Sequence, residues 1–123
     1  MAAACALAPK RHGGYGVAVQ DLLDLQGASG ATYRFRLIAD PGALPATSGN
    51  YVYVRFRGAT PQVLACGAVN TLGAAARGWD EAVRAHAVAA LYIRLNVARA
   101  ARDQEHADLV AKYRPPMAAI DEA

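Results

Sequence analysis

The residues best equipped for chemistry fall in two stretches, 51–57 and 105–106. In the first, Tyr51, Tyr53, Arg55 and Arg57 alternate with Val52, Val54 and Phe56. In a β-strand that spacing sends the tyrosines and arginines to one face and the apolar residues to the other. The pattern predicts a half-buried strand with a polar, aromatic upper surface. Guanidinium groups pair with phosphate oxygens and aromatic rings stack on bases, so such a face can hold nucleic acid. Arg34 and Arg36, in an earlier alternating run, extend the basic face if their strand lies alongside. The plainer reading is solvated charge on an open sheet and ordinary β-propensity of tyrosine. In the second stretch Glu105 and His106 offer a carboxylate and an imidazole within a helix-forming run, and Arg77 ends another.

Hydrophobic period and turn residues indicate the elements that must position these groups. Tyr51 to Arg57 and Val63 to Cys66 read as a hairpin joined by Gly58-Ala59-Thr60-Pro61. The hairpin feeds a helix capped by Asn70 or Thr71, running through Arg77 and stopped by Gly78. Upstream, residues 1–14 read as a disordered leader and residues 17–25 as a short helix ended by Gly27. Residues 32–39 form a strand with Tyr33, Phe35 and Leu37 opposite Arg34 and Arg36. Asp40-Pro41-Gly42 ends it, and a loop follows to Gly49.

Downstream, Asp80 caps a helix over 81–87, and 88–96 is a strand with Leu91, Ile93 and Leu95 opposite Tyr92 and Arg94. The longest helix, 98–113, is stopped by Pro115-Pro116. Ala101, Leu109, Val110 and Tyr113 form its apolar stripe, with Asp103, Gln104 and Lys112 in solvent. Glu105 falls on or beside that stripe, where a carboxylate is costly unless paired. Its partner is Arg94 or Arg102, or else a metal ion. His86 and His106 read as surface residues. The expected fold is α/β, a single layered domain over 15–123 with a central sheet flanked by helices.

Composition sets the outer limits. A chain of 123 residues, 54% hydrophobic and 19% charged, is one ordered domain. Eleven arginines and two lysines contribute to a net charge of +3, compatible with a phosphate-bearing partner but common among proteins that bind none. Cys5 and Cys66 have neither paired spacing nor a neighbouring histidine, so Cys66 reads as a buried free thiol in a strand. The N-terminal apolar residues lack a preceding positive charge, and no apolar run reaches bilayer-spanning length. A cytoplasmic chain with no membrane partner is expected.

Four segments stand in a telling order. Gly49-Asn50-Tyr51 opens the first hairpin strand, Leu64-Ala65-Cys66-Gly67 lies in the second, and Leu72 follows in the next helix. The last helix carries Glu105-His106-Ala107-Asp108-Leu109-Val110-Ala111-Lys112-Tyr113-Arg114-Pro115-Pro116. Over residues 49–118 this arrangement resembles the GIY-YIG nuclease domain, the family of the bacterial excision-repair incision domain and several homing and restriction endonucleases. The resemblance implies a small sheet carrying a metal-dependent phosphodiesterase site. It aligns Tyr51 with the first catalytic tyrosine, but Ala65 with the second and Ala68 with the lysine that often follows. The expected arginine falls among Ala74, Ala75 and Ala76, with Arg77 nearest. The metal-holding glutamate falls at His106, one residue after Glu105, and the terminal asparagine falls at Ala118.

The implied remnant site is Tyr51, Arg77, Glu105 and His106. Magnesium would be held by Glu105 only if the site is active, and no other cofactor is implied. The expected function is a catalytically impaired GIY-YIG-like domain that binds DNA or RNA through Arg34, Arg36, Arg55 and Arg57. Two alternatives stand beside it: a protein-interaction module keeping only the fold, and an active endonuclease with a rebuilt site.

Overall fold

The computed structural model describes residues 20–117 and residue 119, so the leader expected at 1–14 lies outside the described residues. The elements are β1 (Leu22–Gln26), β2 (Thr32–Ile38), a three-residue 3-10 turn (Pro41–Ala43) in the loop that follows, β3 (Gly49–Arg57), β4 (Thr60–Val69), a 3-10 helix (Leu72–Ala76), α1 (Trp79–His86), β5 (Ala90–Leu95) and α2 (Arg99–Tyr113). The strands form a five-stranded sheet in the order β1-β2-β5-β3-β4, with every neighbouring pair antiparallel. The architecture is mixed α/β.

The hairpin forms where expected, with a tighter turn. Arg57 pairs with Thr60, which leaves Gly58 and Ala59 as a two-residue loop instead of the four-residue connection read from the sequence. Gly58 has φ +58°, the conformation that hairpin turns of this length demand at their first central residue. Pro61 therefore lies inside β4, tolerated because β4 is an edge strand. Farther along, Tyr53 pairs with Ala65 but Val54 pairs with Val63, so Leu64 is an extra residue. This bulge sends Leu64 and Ala65 into one core cluster while Val63 and Cys66 enter the other.

β5 inserts between β2 and β3, and that insertion decides where the core sits. On one side of the sheet Tyr51, Tyr53, Leu91 and Ile93 pack against Leu72, Ala74 and Ala75 of the 3-10 helix and Ala82 of α1. On the other, Val52, Val54, Cys66, Phe35 and Tyr92 pack against Leu109 of α2. β3 is consequently buried on both faces from Gly49 to Val54, which corrects the half-buried strand expected there. Alternation along a strand says which residues share a face; it does not say whether a helix covers that face.

Three further expectations change. The predicted helix at 17–25 is contradicted by β1, whose Leu23 and Leu25 pair with Phe35 and Tyr33. Tertiary pairing with β2 overrides a short run that suits either period. The helix expected over 70–77 is a five-residue 3-10 helix, and α1 begins at Trp79 after Gly78, so Asp80 sits in its first turn and does not cap it. In α2 the residues turned fully inward are Arg102 and Leu109, while Val110 is 39% exposed. The strands at 32–38 and 90–95 keep their predicted faces, and Cys66 is a buried thiol whose pKa burial raises to about 12.

Candidate functional site

The sheet separates the residues of the expected remnant site. Tyr51 is fully buried beneath the 3-10 helix, its ring 5.3 Å from that of Tyr53. Tyr53 donates its hydroxyl to the Ala75 carbonyl and meets Trp79 edge-on at 5.6 Å. Burial raises the Tyr53 pKa to about 12, against the pull of a backbone hydrogen bond from Gly78. Arg77, at the end of the 3-10 helix, is exposed. Glu105 and His106 belong to α2, on the opposite side of the sheet from Tyr51.

Glu105 is committed to Arg94 of β5. The Arg94 Nε donates to Glu105 Oε1 at 2.8 Å, and its Nη2 reaches Oε2 at 3.5 Å. The same guanidinium stands 5.6 Å from the centre of the Tyr33 ring, a cation–π contact that holds it in place. Of the two arginine partners considered from sequence, Arg94 is the one used. With both Glu105 oxygens turned to a guanidinium, the residues present do not fit a magnesium site. Among the described residues, no group of three or more His, Cys, Asp and Glu could hold a metal ion.

The arginine face is divided as well. Arg34 forms an exposed ion pair with Asp24 at 2.8 Å, which lowers the carboxylate pKa and raises that of the guanidinium. Arg55 is half-buried: its Nε donates to Gln62 Oε1 at 2.9 Å and its Nη1 to the His86 carbonyl at 3.0 Å. Arg36 and Arg57 are exposed, without an ion pair to the described residues. Arg36 lies in a row with Ile93 and Tyr51, while Arg55 is four residues beyond Tyr51 along β3. From strand spacing and rise, Arg36 and Arg55 stand roughly 17 Å apart at the backbone. The four arginines line the margins of the fold, because its helices occupy the middle of the face.

A polar cluster that sequence reasoning did not single out lies at the N-terminal end of α2. Arg102, only 5% exposed, donates through Nη1 to the carbonyls of Val97 at 2.8 Å and Asn96 at 3.2 Å. Its Nη2 donates to Asn70 Oδ1 at 3.0 Å. Asn50, 1% exposed, donates to the Arg102 carbonyl at 3.1 Å and accepts from Asn96 Nδ2 at 3.1 Å. One side chain thus ties together the ends of β3, β4 and β5 and the start of α2. The oxygens facing the guanidinium are neutral. Its Nε, like Nδ1 of His106 one turn on, is buried without a hydrogen-bond partner among the described residues. His106 is half-buried and not the surface residue expected, and that burial lowers its pKa, with Asp103 opposing. The spacing of Arg102, His106 and Leu109 held the signal. It was hidden because an arginine and a histidine do not look like an inward stripe.

A second anchor fixes the other end of α2. Asp108 accepts from the Ser29 backbone N–H at 2.8 Å, the Ser29 hydroxyl at 2.7 Å and the Tyr33 hydroxyl at 2.7 Å. These bonds hold the Asp108 carboxyl below its ordinary range, the Tyr33 bond contributing most, and raise the Tyr33 pKa in return. Both anchors bind and orient; neither converges on a reacting position. Comparison with family models, with curated proteins and with solved structures finds no match to this chain.

Proposed function

We propose that this chain is a GIY-YIG-like domain that binds nucleic acid without cleaving it. The observation that carries the reading is the division of charged and aromatic groups. Tyr51 is sealed on one side of the sheet and Glu105 is ion-paired on the other, while Arg36 and Arg57 remain in solvent. Phosphodiester cleavage needs those groups to converge on one phosphate. Phosphate binding needs only exposed cations along a surface. Arg36 and Arg57 are its main contacts, with Arg34 adding a cation partly neutralised by Asp24. Arg55 is held by neutral partners at the margin.

A second reading, a protein-interaction module, draws support from apolar exposure beside the same arginines. Leu22, the cross-strand partner of Arg36, is 48% exposed and Leu95 is 53% exposed. Titration of labelled single-stranded DNA and RNA between 50 and 200 mM salt separates the two. The nucleic-acid reading expects weak binding, whose log–log salt slope falls by about 1.4 when Arg36→Ala and Arg57→Ala are combined. Unchanged affinity and slope in the double variant would reject it in favour of the interaction module.

A further inference from the structure

At the β4 edge of the sheet lies an open groove of about 410 Å³, lined by Arg55, Gln62, Leu64, Tyr113 and the rings of Pro61 and Pro116. We infer that this groove binds an extended peptide segment carrying a carboxylate, laid along β4 with its acid on Arg55. The inference does not rest on nucleic-acid binding, which uses Arg36 and Arg57.

Three observations lead there. The Arg55 guanidinium is positioned by the Gln62 side-chain oxygen and the His86 carbonyl, both neutral, and has no carboxylate partner among the described residues. Its Nη2 makes no hydrogen bond to them, so an arriving carboxylate meets an oriented, half-buried cation instead of a mobile surface one. β4 ends the sheet, and among the described residues its outer edge takes a main-chain hydrogen bond at one point, where the Met117 N–H donates to the Leu64 carbonyl at 3.0 Å. An edge strand of this kind is a template for strand addition by an extended segment. Three of the lining residues, Pro61, Tyr113 and Pro116, are rings with few rotamers to lose on binding. Tyr113 is the only aromatic residue of the lining among the described residues, and its hydroxyl is tied to the Gln26 carbonyl at 2.8 Å. Proline rings offer no π-face, so the described lining presents a single aromatic ring, where single-stranded nucleic acid stacks successive bases on several.

Backbone amide shifts of the isotope-labelled full chain test this with two blocked hexapeptides of alternating valine and threonine. One carries a central glutamate and the other a glutamine in its place. The glutamate peptide should shift the amides of Gln62, Val63, Leu64 and Met117 and bind about ten-fold more tightly. Arg55→Gln should abolish that preference, and N-methylation of the peptide beside the glutamate should weaken binding. An unlabelled deoxythymidine oligonucleotide should leave the peptide in place. Equal affinity of the two peptides, shifts confined to another surface, indifference to N-methylation, or displacement by the oligonucleotide would each overturn the inference. The peptide comparison on the unaltered chain keeps it testable should Arg55→Gln fail to fold.

Discussion

The ring of Tyr51 lies over the backbone of its cross-strand partner Gly67, so closely that a methyl group there would fall 2.4 Å from Cε2 and 2.7 Å from the hydroxyl oxygen. The glycine of the Leu64-Ala65-Cys66-Gly67 segment thus has a packing role on a fully covered face: it leaves the space that the tyrosine fills. Gly67→Ala should destabilise the fold by about 1–3 kcal/mol, the usual cost of overpacking a core. A urea-denaturation cycle with Tyr51→Leu checks the cause, since the alanine should cost less once the ring is gone.

Asp108 predicts a pH dependence. Its carboxyl is depressed below the ordinary range by Tyr33 and Ser29, so the unfolded chain binds the proton more readily than the folded one. That contribution to stability is present above the ordinary carboxylate pKa and lost as pH falls through the depressed value. Asp108→Asn should lower thermal stability at neutral pH and flatten its decline in acid. His106 adds a separate, higher window: its pKa is lowered by burial, so stability should begin to fall as pH drops below about 6.5. Thermal melts of wild type, Asp108→Asn and His106→Gln between pH 7 and 3 resolve the two.

Arg102 should not tolerate lysine. Its planar fork reaches the Asn96 and Val97 carbonyls and the Asn70 oxygen together, a geometry that a single ammonium cannot reproduce. Arg102→Lys should cost about 1.5–3 kcal/mol through a lost charge-assisted hydrogen bond. Hydrogen exchange should show the loss concentrated at the start of α2 and the end of β5. Uniform destabilisation would argue against a local clamp.

Glu105→Gln should change stability and leave cleavage where it was. The substitution breaks the charge-assisted pair with Arg94, at a cost of about 1–2 kcal/mol. Plasmid and single-stranded DNA should stay intact with either protein in magnesium or manganese. Ala65 and Ala68 stand where the family resemblance expects polar groups, and one lost charge-stabilising donor typically adds about 2.7–4 kcal/mol to a barrier. Cleavage by the wild type that vanishes in the variant would restore the active-endonuclease reading.

What the sequence determined by itself was local. Alternation marked β2 and β5 and assigned their faces, glycine placed the hairpin turn, and Pro115 stopped α2, because period and backbone restriction act within a few residues. Burial and convergence were decided only in three dimensions. The run Leu22-Leu23-Asp24-Leu25-Gln26 suits a helix or a strand, and pairing with β2 makes it a strand. Nothing in the spacing of Tyr51 or Glu105 says that β5 will slide between β2 and β3, or that helices will cover both faces of the sheet. Those contacts are non-local, and they turn an expected binding face into core. They also bring Asn50, Asn70, Asn96 and Arg102, distant along the chain, into one hydrogen-bonded cluster, where burying the guanidinium is offset only by the oxygens that the fold carries to it.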